Sequence, residues 1–484
     1  MTGGLLVVDV EVDGERVDVR CADGVVSDVA RDLTPRRGET VFRGAAAVLP
    51  GLHDHHLHLL AMAARAGSVD LGADRVTDRG DLEHVLAAAD AALPAEDWIR
   101  AVGFHERSSG HLDRWELDRM VADRPVRVQH RSGHQWVLNS AACRVVGLIP
   151  DDRERGRGDG GPGDVTGPDG IERDGTGRPT GRLFEQDDWL AGRLPLGPPP
   201  DLGPVSRRLA AYGVTGVTDA TPTRSVVDLE VLAAARRTGA LVQRVRVMGA
   251  VGPDARGVPD GLEVGPLKLM IADALPPDVD GLAERIDQAH RSGRPVALHC
   301  VSRVAAAVAL AAWDTAGADP GDRMEHGAVL PPDVIERLAG LGVTVVTQPA
   351  FLVDRGDEYL DEVEPDDRDH LYPCAGLDRA GVPLGGGTDA PFGPEDPWVA
   401  VSSAVRRTTR THRLVGPGER LAPERALRLF LSHPGDPGGP ARAVAVGAAA
   451  DLCLLGGGLR RTLEDPEARR VVATVVDGHV VHEG

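Results

Sequence analysis

Apolar residues recur along this chain with two periods, and the period changes with position. Over residues 5–48 they alternate with polar ones in short runs: Leu-Leu-Val-Val-Asp-Val, Arg-Val-Asp-Val-Arg-Cys and Gly-Val-Val-Ser-Asp-Val-Ala. A period of two marks half-buried strands. The Asp13-Gly14 and Asp23-Gly24 pairs between the runs are hairpin signals, because tight hairpin turns need residues that tolerate positive φ. The end of the chain repeats the pattern. Leu452–Leu455 and Val471–Val476 read as strands, and Asp477-Gly478 turns the chain into His479-Val480-Val481. We therefore expect residues 1–48 and 440–484 to meet in one small composite β-sandwich.

Between these ends the helical period enters. A helix is expected at 81–93, strands at 98–104 and 126–129, and a long loop or lid at 151–182, where Gly, Asp, Arg and Pro crowd out apolar residues. From about residue 207 the two periods alternate regularly. Strands are expected at 214–219, 242–248, 267–272, 295–300, 323–327, 343–348 and 382–388, with helices at 205–212, 225–238, 281–292, 303–316 and 332–341. With an opening strand inside residues 49–59 this makes eight βα units. That order predicts the α/β class and a (β/α)8 TIM barrel, in which catalytic residues stand at the C-terminal ends of the strands. Residues 49–439 would form the barrel, with a region inserted at about 70–200.

Composition narrows the partners. Of 484 residues, 42% are hydrophobic and only 3% aromatic, so the core must be built from Ala, Val and Leu. A net charge of -20 disfavours nucleic acid and anionic membrane, since both require a basic face. Cys21, Cys143, Cys300, Cys374 and Cys453 are odd in number, widely spaced and contain no Cys-x-x-Cys pair. Neither a disulfide framework nor a cysteine zinc site is indicated. No apolar run is long enough to span a bilayer. These features predict a cytoplasmic protein with a small-molecule partner and, if it assembles, a homodimer, the commonest homo-oligomer.

The candidate chemistry begins in Leu-Pro-Gly-Leu-His-Asp-His-His-Leu-His-Leu, residues 49–59. Asp54, His56 and His58 alternate, so an extended strand puts them on one face. Two imidazoles from one strand are half of a metal site. Other strands end in His299, His326 and Asp389. Lys268, in an apolar strand-like run, is the single lysine among 54 basic residues. In a chain that otherwise uses arginine, this marks a position where a primary amine is needed, because only the amine can lose its proton, form a Schiff base or take up carbon dioxide as a carbamate. Taken singly, a histidine after an apolar strand is a core residue and an Asp after Gly-Thr is a helix cap. Their joint occurrence at one end of the strands points to a divalent metal.

The motif Pro50-Gly51-x-x-Asp54-x-His56-x-His58 resembles the signature of the amidohydrolase superfamily, and Glu325-His326-Gly327 and Gly387-Thr388-Asp389-Ala390-Pro391 resemble its sixth and eighth strands. Gly133-His134-x-x-x-x-Asn139-Ser140-x-Ala142, Ile171-Glu172-Arg173-Asp174 with Pro179-Thr180-Gly181-x-Leu183-x-Glu185, and Gln348-Pro349 resemble amidohydrolase family 3, which includes N-substituted formamide deformylases and is related to D-aminoacylases. The resemblance implies one or two Zn2+ ions, or Mn2+ or Fe2+, held by His56, His58, His299 and His326, with Asp389 beside the reactive water and a carbamate on Lys268 bridging two metals. It implies hydrolysis of a C–N bond in a small amide or formamide, with His134 helping to polarise the carbonyl. Trp136, Asn139, Glu185 and Arg303 are candidates for contacting the substrate, and Phe351, Phe392 and Trp398 for an apolar wall. The chain departs from the family pattern in Ile271-Ala272-Asp273-Ala274, after the lysine, and in Cys300-Val301-Ser302-Arg303, after the strand-five histidine.

The residues leave two other readings open. One is a single-metal deaminase with His56, His58, His299 and Asp389 as ligands, His326 as acid/base and Lys268 structural. The other is a metal-binding scaffold without turnover, against which Asp389 argues, since a scaffold has no use for a water-activating carboxylate.

Overall fold

The computed structural model describes residues 4–94, 96–150, 168–195, 197–249, 257–271 and 277–484. Residues 151–167 of the expected loop, and 272–276 after the Lys268 strand, lie outside the described residues. The chain divides into two compact units, Met1–Leu60 with Asp201–Gly484, and Ala61–Pro200.

In the first unit both ends of the chain share one sheet of eight strands. Its order is His479–Glu483, Val471–Val476, Leu452–Leu455, Ala47–Pro50, Leu5–Val12, Glu15–Ala22 and Val25–Ala30, with Thr40–Phe42 also paired to Leu5–Val12. The Asp-Gly turns are tight hairpins: φ is +49° and +85° at Asp13 and Gly14, and +51° and +78° at Asp477 and Gly478, the two-residue geometry that matches strand twist. The expected sandwich is present in part, as this one continuously paired sheet. A bridge from Val25 to Ala449 brings its far edge back to the C-terminal segment. Val7, Val10, Val19, Leu452, Leu454 and Val475 are buried in its core.

The parallel strands of this unit form two sheets. One holds Leu52–Leu57, Val214–Asp219, Arg244–Val247 and Leu262–Val264; the other holds Leu267–Leu269, Val296–Cys300, Arg323–His326, Thr344–Thr347 and Leu384–Gly386. Every pairing is parallel and follows chain order, as connections through intervening helices require. Among the described residues the pairing does not run round a single closed ring, so the sheet topology gives an α/β fold and not, by itself, a barrel. The break falls at Gly265-Pro266. Pro266 has no N–H to continue a ladder, so the expected strand 267–272 is preceded by a separate piece, and the two pieces pair with opposite neighbours. Buried Arg294 donates to the carbonyls of Met248, Gly265 and Pro266 and satisfies acceptors at the break. At the other end, Asp389 N donates to His56 O at 2.7 Å and His58 N to Ala390 O at 2.8 Å, laying the end of the last strand against the first. Helices fall where the period of 3.6 put them. Arg303–Ala316 and Pro332–Leu341 keep their expected bounds, and Ser225 and Asp228 form a capping box before Val226–Thr238.

The second unit is built on a six-stranded sheet ordered Ile171–Arg173, Pro179–Phe184, Gln135–Leu138, Val126–His130, Ile99–Phe104 and Val69–Asp70. The expected loop therefore ends in a hairpin. Its turn is made by Asp174, whose Oδ1 accepts from the N–H groups of Thr176 and Arg178. Sequence periodicity misses it because its buried positions are Pro179, Thr180 and Gly181 as well as Ile171 and Leu183, and only the last two are large apolar residues. Among the described residues no helix is long and apolar enough to cross a membrane, and the five cysteines are buried, none of them in a disulfide.

Candidate metal centre

The strand Leu52–Leu57 is buried along its whole length, and its alternation sorts the polar residues into two sets. His53 and His55 bond to Thr218 Oγ1 and Ser432 Oγ, each at 3.0 Å. Asp54 holds the strand to its neighbour. Its carboxylate accepts from His56 N at 3.0 Å, Thr388 N at 3.1 Å and Thr388 Oγ1 at 2.6 Å. Burial pushes this carboxyl up to about 7 in spite of those donors. Asp54 is thus a strut between the first and last strands, with its oxygens already engaged.

The other imidazoles converge. Ring centroids of His56 and His58 are 5.5 Å apart, of His56 and His326 4.8 Å, and of His299 and His326 4.5 Å. Three of the four rings have an oxygen partner on Nδ1: Glu325 Oε2 for His56, Thr221 Oγ1 at 2.9 Å for His58, and Gln348 Oε1 at 2.8 Å for His326. Such a partner fixes the tautomer and leaves the Nε2 lone pair for a metal. The Nε2 atoms point inward: that of His58 lies 3.0 Å and that of His56 3.5 Å from Asp389 Oδ1, and that of His326 lies 3.0 Å from His299 Nδ1. Ligand atoms of His56, His58 and Asp389 all lie within 4.8 Å of one another. Burial holds the pKa values of His56 and His326 well below the usual histidine range, so both are neutral donors. Burial works the other way on Asp389, but the hydrogen bond from His58 and the nearby imidazoles outweigh it and keep the group a carboxylate.

Backbone geometry serves the same end. His326 and Asp389 have φ of +69° and +54°, a left-handed conformation uncommon outside glycine and concentrated at functional sites. Gly387 is required by close approach, since a Cβ there would sit 2.6 Å from the Cβ of His56.

Lys268 lies among these residues. It is 4% exposed, and its Nζ has no hydrogen-bond partner among the described residues. Burial brings its pKa down to about 8, against the attraction of Glu325 and Asp389. An unpaired buried amine is costly. Here it lies near His56, His326 and Asp389, imidazole and carboxylate donors of the types that bind zinc and related ions. The residues therefore fit a metal centre, and the orphaned amine is the atom that a carbamate or metal contact would satisfy.

Four neighbours of the centre were given no role by the sequence: Arg323, Glu325, Thr221 and Gln348. Glu325 and Gln348 stand in quoted motifs, but nothing there reveals that they bond to ring nitrogens; Thr221 and Arg323 carry no motif signal at all.

The other expected site residues have different surroundings. Arg303 is exposed and its guanidinium is ion-paired with Asp367. Phe392 stands edge-on to His58 with centroids 5.2 Å apart, whereas Trp398 is buried and donates to Tyr212 O. Phe351 packs with Tyr372. Cys300 turns its Sγ toward Ala305 O. His134, Trp136, Asn139 and Glu185 belong to the second unit. Asn139 caps Ser140–Val145 and uses its whole amide on backbone, accepting from Ala142 N and Val126 N and donating to Val121 O and Arg124 O. Trp136 is buried, with its Nε1 donating to Asp187 and with Arg100 and Arg127 over the ring. His134 and Glu185 are exposed neighbours, joined by the Glu185 N to His134 O bond at 2.8 Å, and Glu185 has φ of +54°. Nearby in sequence, His105, Glu106 and His130 also cluster. The Nδ1 of His130 accepts from Ser132 N, and its Nε2 pairs with Glu106 at 3.1 Å, so hydrogen bonding accounts for that group.

A sequence profile of the amidohydrolase family matches residues 45–482. A protein of Bacillus subtilis (strain 168) named as the amidohydrolase YtcJ is 26% identical, with 99% of this chain and 98% of the relative covered. An N-substituted formamide deformylase of Arthrobacter pascens is likewise 26% identical over 93% of each chain. The crystal structure of an uncharacterized metal-dependent hydrolase from Pyrococcus horikoshii OT3 superposes with a TM-score of 0.71 at 19% identity, covering 99% of this chain and 100% of the other.

Proposed function

This chain belongs to the amidohydrolase family, and from that premise we propose that it hydrolyses a C–N bond in a small amide or formamide at a divalent metal centre. In this reading the two parallel sheets are the wall of one eight-stranded barrel, joined at Gly265-Pro266 and where Asp389 meets His56. The observation that carries the proposal is the unpartnered amine of Lys268 beside imidazoles whose Nε2 atoms point inward.

His56, His58 and Asp389 would hold one Zn2+ and His299 and His326 a second, with carboxylated Lys268 shared between them. The bound metal supplies Lewis acidity and a nucleophile derived from water near neutral pH. Asp389, ionised and fixed by His58, accepts a proton at its carboxylate and returns it to the leaving nitrogen. Phe392, beside His58, restricts water on that flank. The products are an amine and a carboxylic acid, or formate when the substrate is a formamide, the substrate class named for the Arthrobacter relative.

A single-metal reading draws on one observation: His56, His58 and Asp389 form the compact donor group, while His299 and His326 bond to each other. Elemental analysis of the wild type and Lys268→Arg decides between them. Near two ions per chain, falling sharply in the variant, supports the bridged pair and directs a screen to N-formyl and N-acyl amines. Near one ion, unchanged in the variant, removes the bridging role and directs the screen to deaminations.

A further inference from the structure

The four rings of the centre are not backed alike. Thr221 and Gln348 offer His58 and His326 neutral oxygens. Glu325 offers His56 a charged one. Its side chain is fully buried, with Oε2 on His56 Nδ1 and Oε1 accepting from Arg323 Nε. Arg323 is 2% exposed at its side chain, and its Nη2 also donates to His55 O at 2.8 Å, on the strand that carries His56. A buried carboxylate is tolerated only when paired. Arg323 both pairs Glu325 and anchors it to the backbone of the first strand.

From this arrangement we infer that Glu325 is a positioning residue that sets the metal affinity of the His56, His58 and Asp389 position. A carboxylate on Nδ1 pins that proton, orients the ring and raises the basicity of Nε2, and loss of such a partner costs roughly 10–100-fold in metal affinity. His326 has the amide oxygen of Gln348 behind its ring. The inference rests on the metal-centre reading above and adds to it the residue that sets the affinity of one position.

The test is competition for Zn2+ between a chromophoric chelator and the full-length protein, stripped of metal and then titrated with zinc alone. Wild type is compared with Glu325→Gln and with the double variant Arg323→Met/Glu325→Gln, which removes both buried charges and so remains usable if Glu325→Gln alone does not fold. The expected result is that one class of sites weakens roughly 10–100-fold while any other class moves less than about 3-fold, and that the Co2+ absorption of the weakened class shifts in position. A merely structural defect would weaken all classes together and leave the Co2+ bands in place. Unchanged binding in every class, or equal weakening of every class, overturns the inference while leaving the metal reading intact. A wild type that takes up no zinc overturns both.

Discussion

Gly387 shows how little space the centre leaves around His56. The last strand passes so close to His56 that an added methyl would lie 2.6 Å from its Cβ and 2.8 Å from its N. These neighbours are backbone and Cβ atoms, which cannot swing aside. Gly387→Ala should therefore destabilise the protein by about 1–3 kcal/mol, the usual cost of overpacking, and reduce metal retention by displacing His56. Thermal melts and elemental analysis of the variant check both; an unaltered melting temperature with full metal content would mean that the strands part easily. At this scale the residues that the site brings together were legible in the sequence because their chemistry is rare and their places at strand ends are regular. Lys268 was legible for a second reason, as the only lysine in the chain. The residues behind them were not. A glutamate before a histidine or a threonine after a strand is common, and only the fold decides that Glu325 bonds across 269 residues to His56 and Thr221 across 163 to His58.

Among the elements, the helix Pro397–Arg406 is the next helix after the last parallel strand, and its cap has an electrostatic cost. Asp396 accepts from Trp398 N as the N-cap. Burial, with Glu395 and Glu467 nearby, pushes its carboxyl up to about 6. The folded value thus lies above that of the unfolded chain. Its contribution to stability is full below about pH 4 and is lost as pH rises through about 6. Asp396→Asn keeps an oxygen for the cap and removes the charge. It should leave stability unchanged near pH 4 and raise it near pH 8 by about 1–2 kcal/mol, from about 1.4 kcal/mol per unit reduced for partial exposure. Urea unfolding at the two pH values measures this; equal effects at both would show that the charge is solvated. Other elements show where periodicity runs out. The alternation of strands and helices was readable because both periods are strong after residue 207. The division at Gly265-Pro266 was hidden because a proline in a short apolar run does not say which neighbour each half will choose. The hairpin at 171–184 was hidden because its turn residues dominate its composition.

For the molecule as a whole, the two compact units differ in what they contain. Every expected metal ligand, from His56 to Asp389, belongs to the unit Met1–Leu60 with Asp201–Gly484, while Ala61–Pro200 has buried cores of its own around Leu82, Ile99 and Val128 and around Trp136 and Leu183. Units with separate cores need not unfold in one step. A ligand that binds only the native form stabilises by mass action, by about 2.7 kcal/mol at 100 times its dissociation constant, and only the cooperative unit that contains its site gains directly. Calorimetry should therefore resolve two transitions, of which zinc raises one and a chelator lowers the same one. The His56→Ala variant identifies it, because its zinc-dependent shift should be much reduced while the other transition stays in place. A single transition that moves as a whole with zinc would mean that the metal stabilises all 484 residues as one cooperative body. The division into two units would then describe how the chain packs and not how it unfolds.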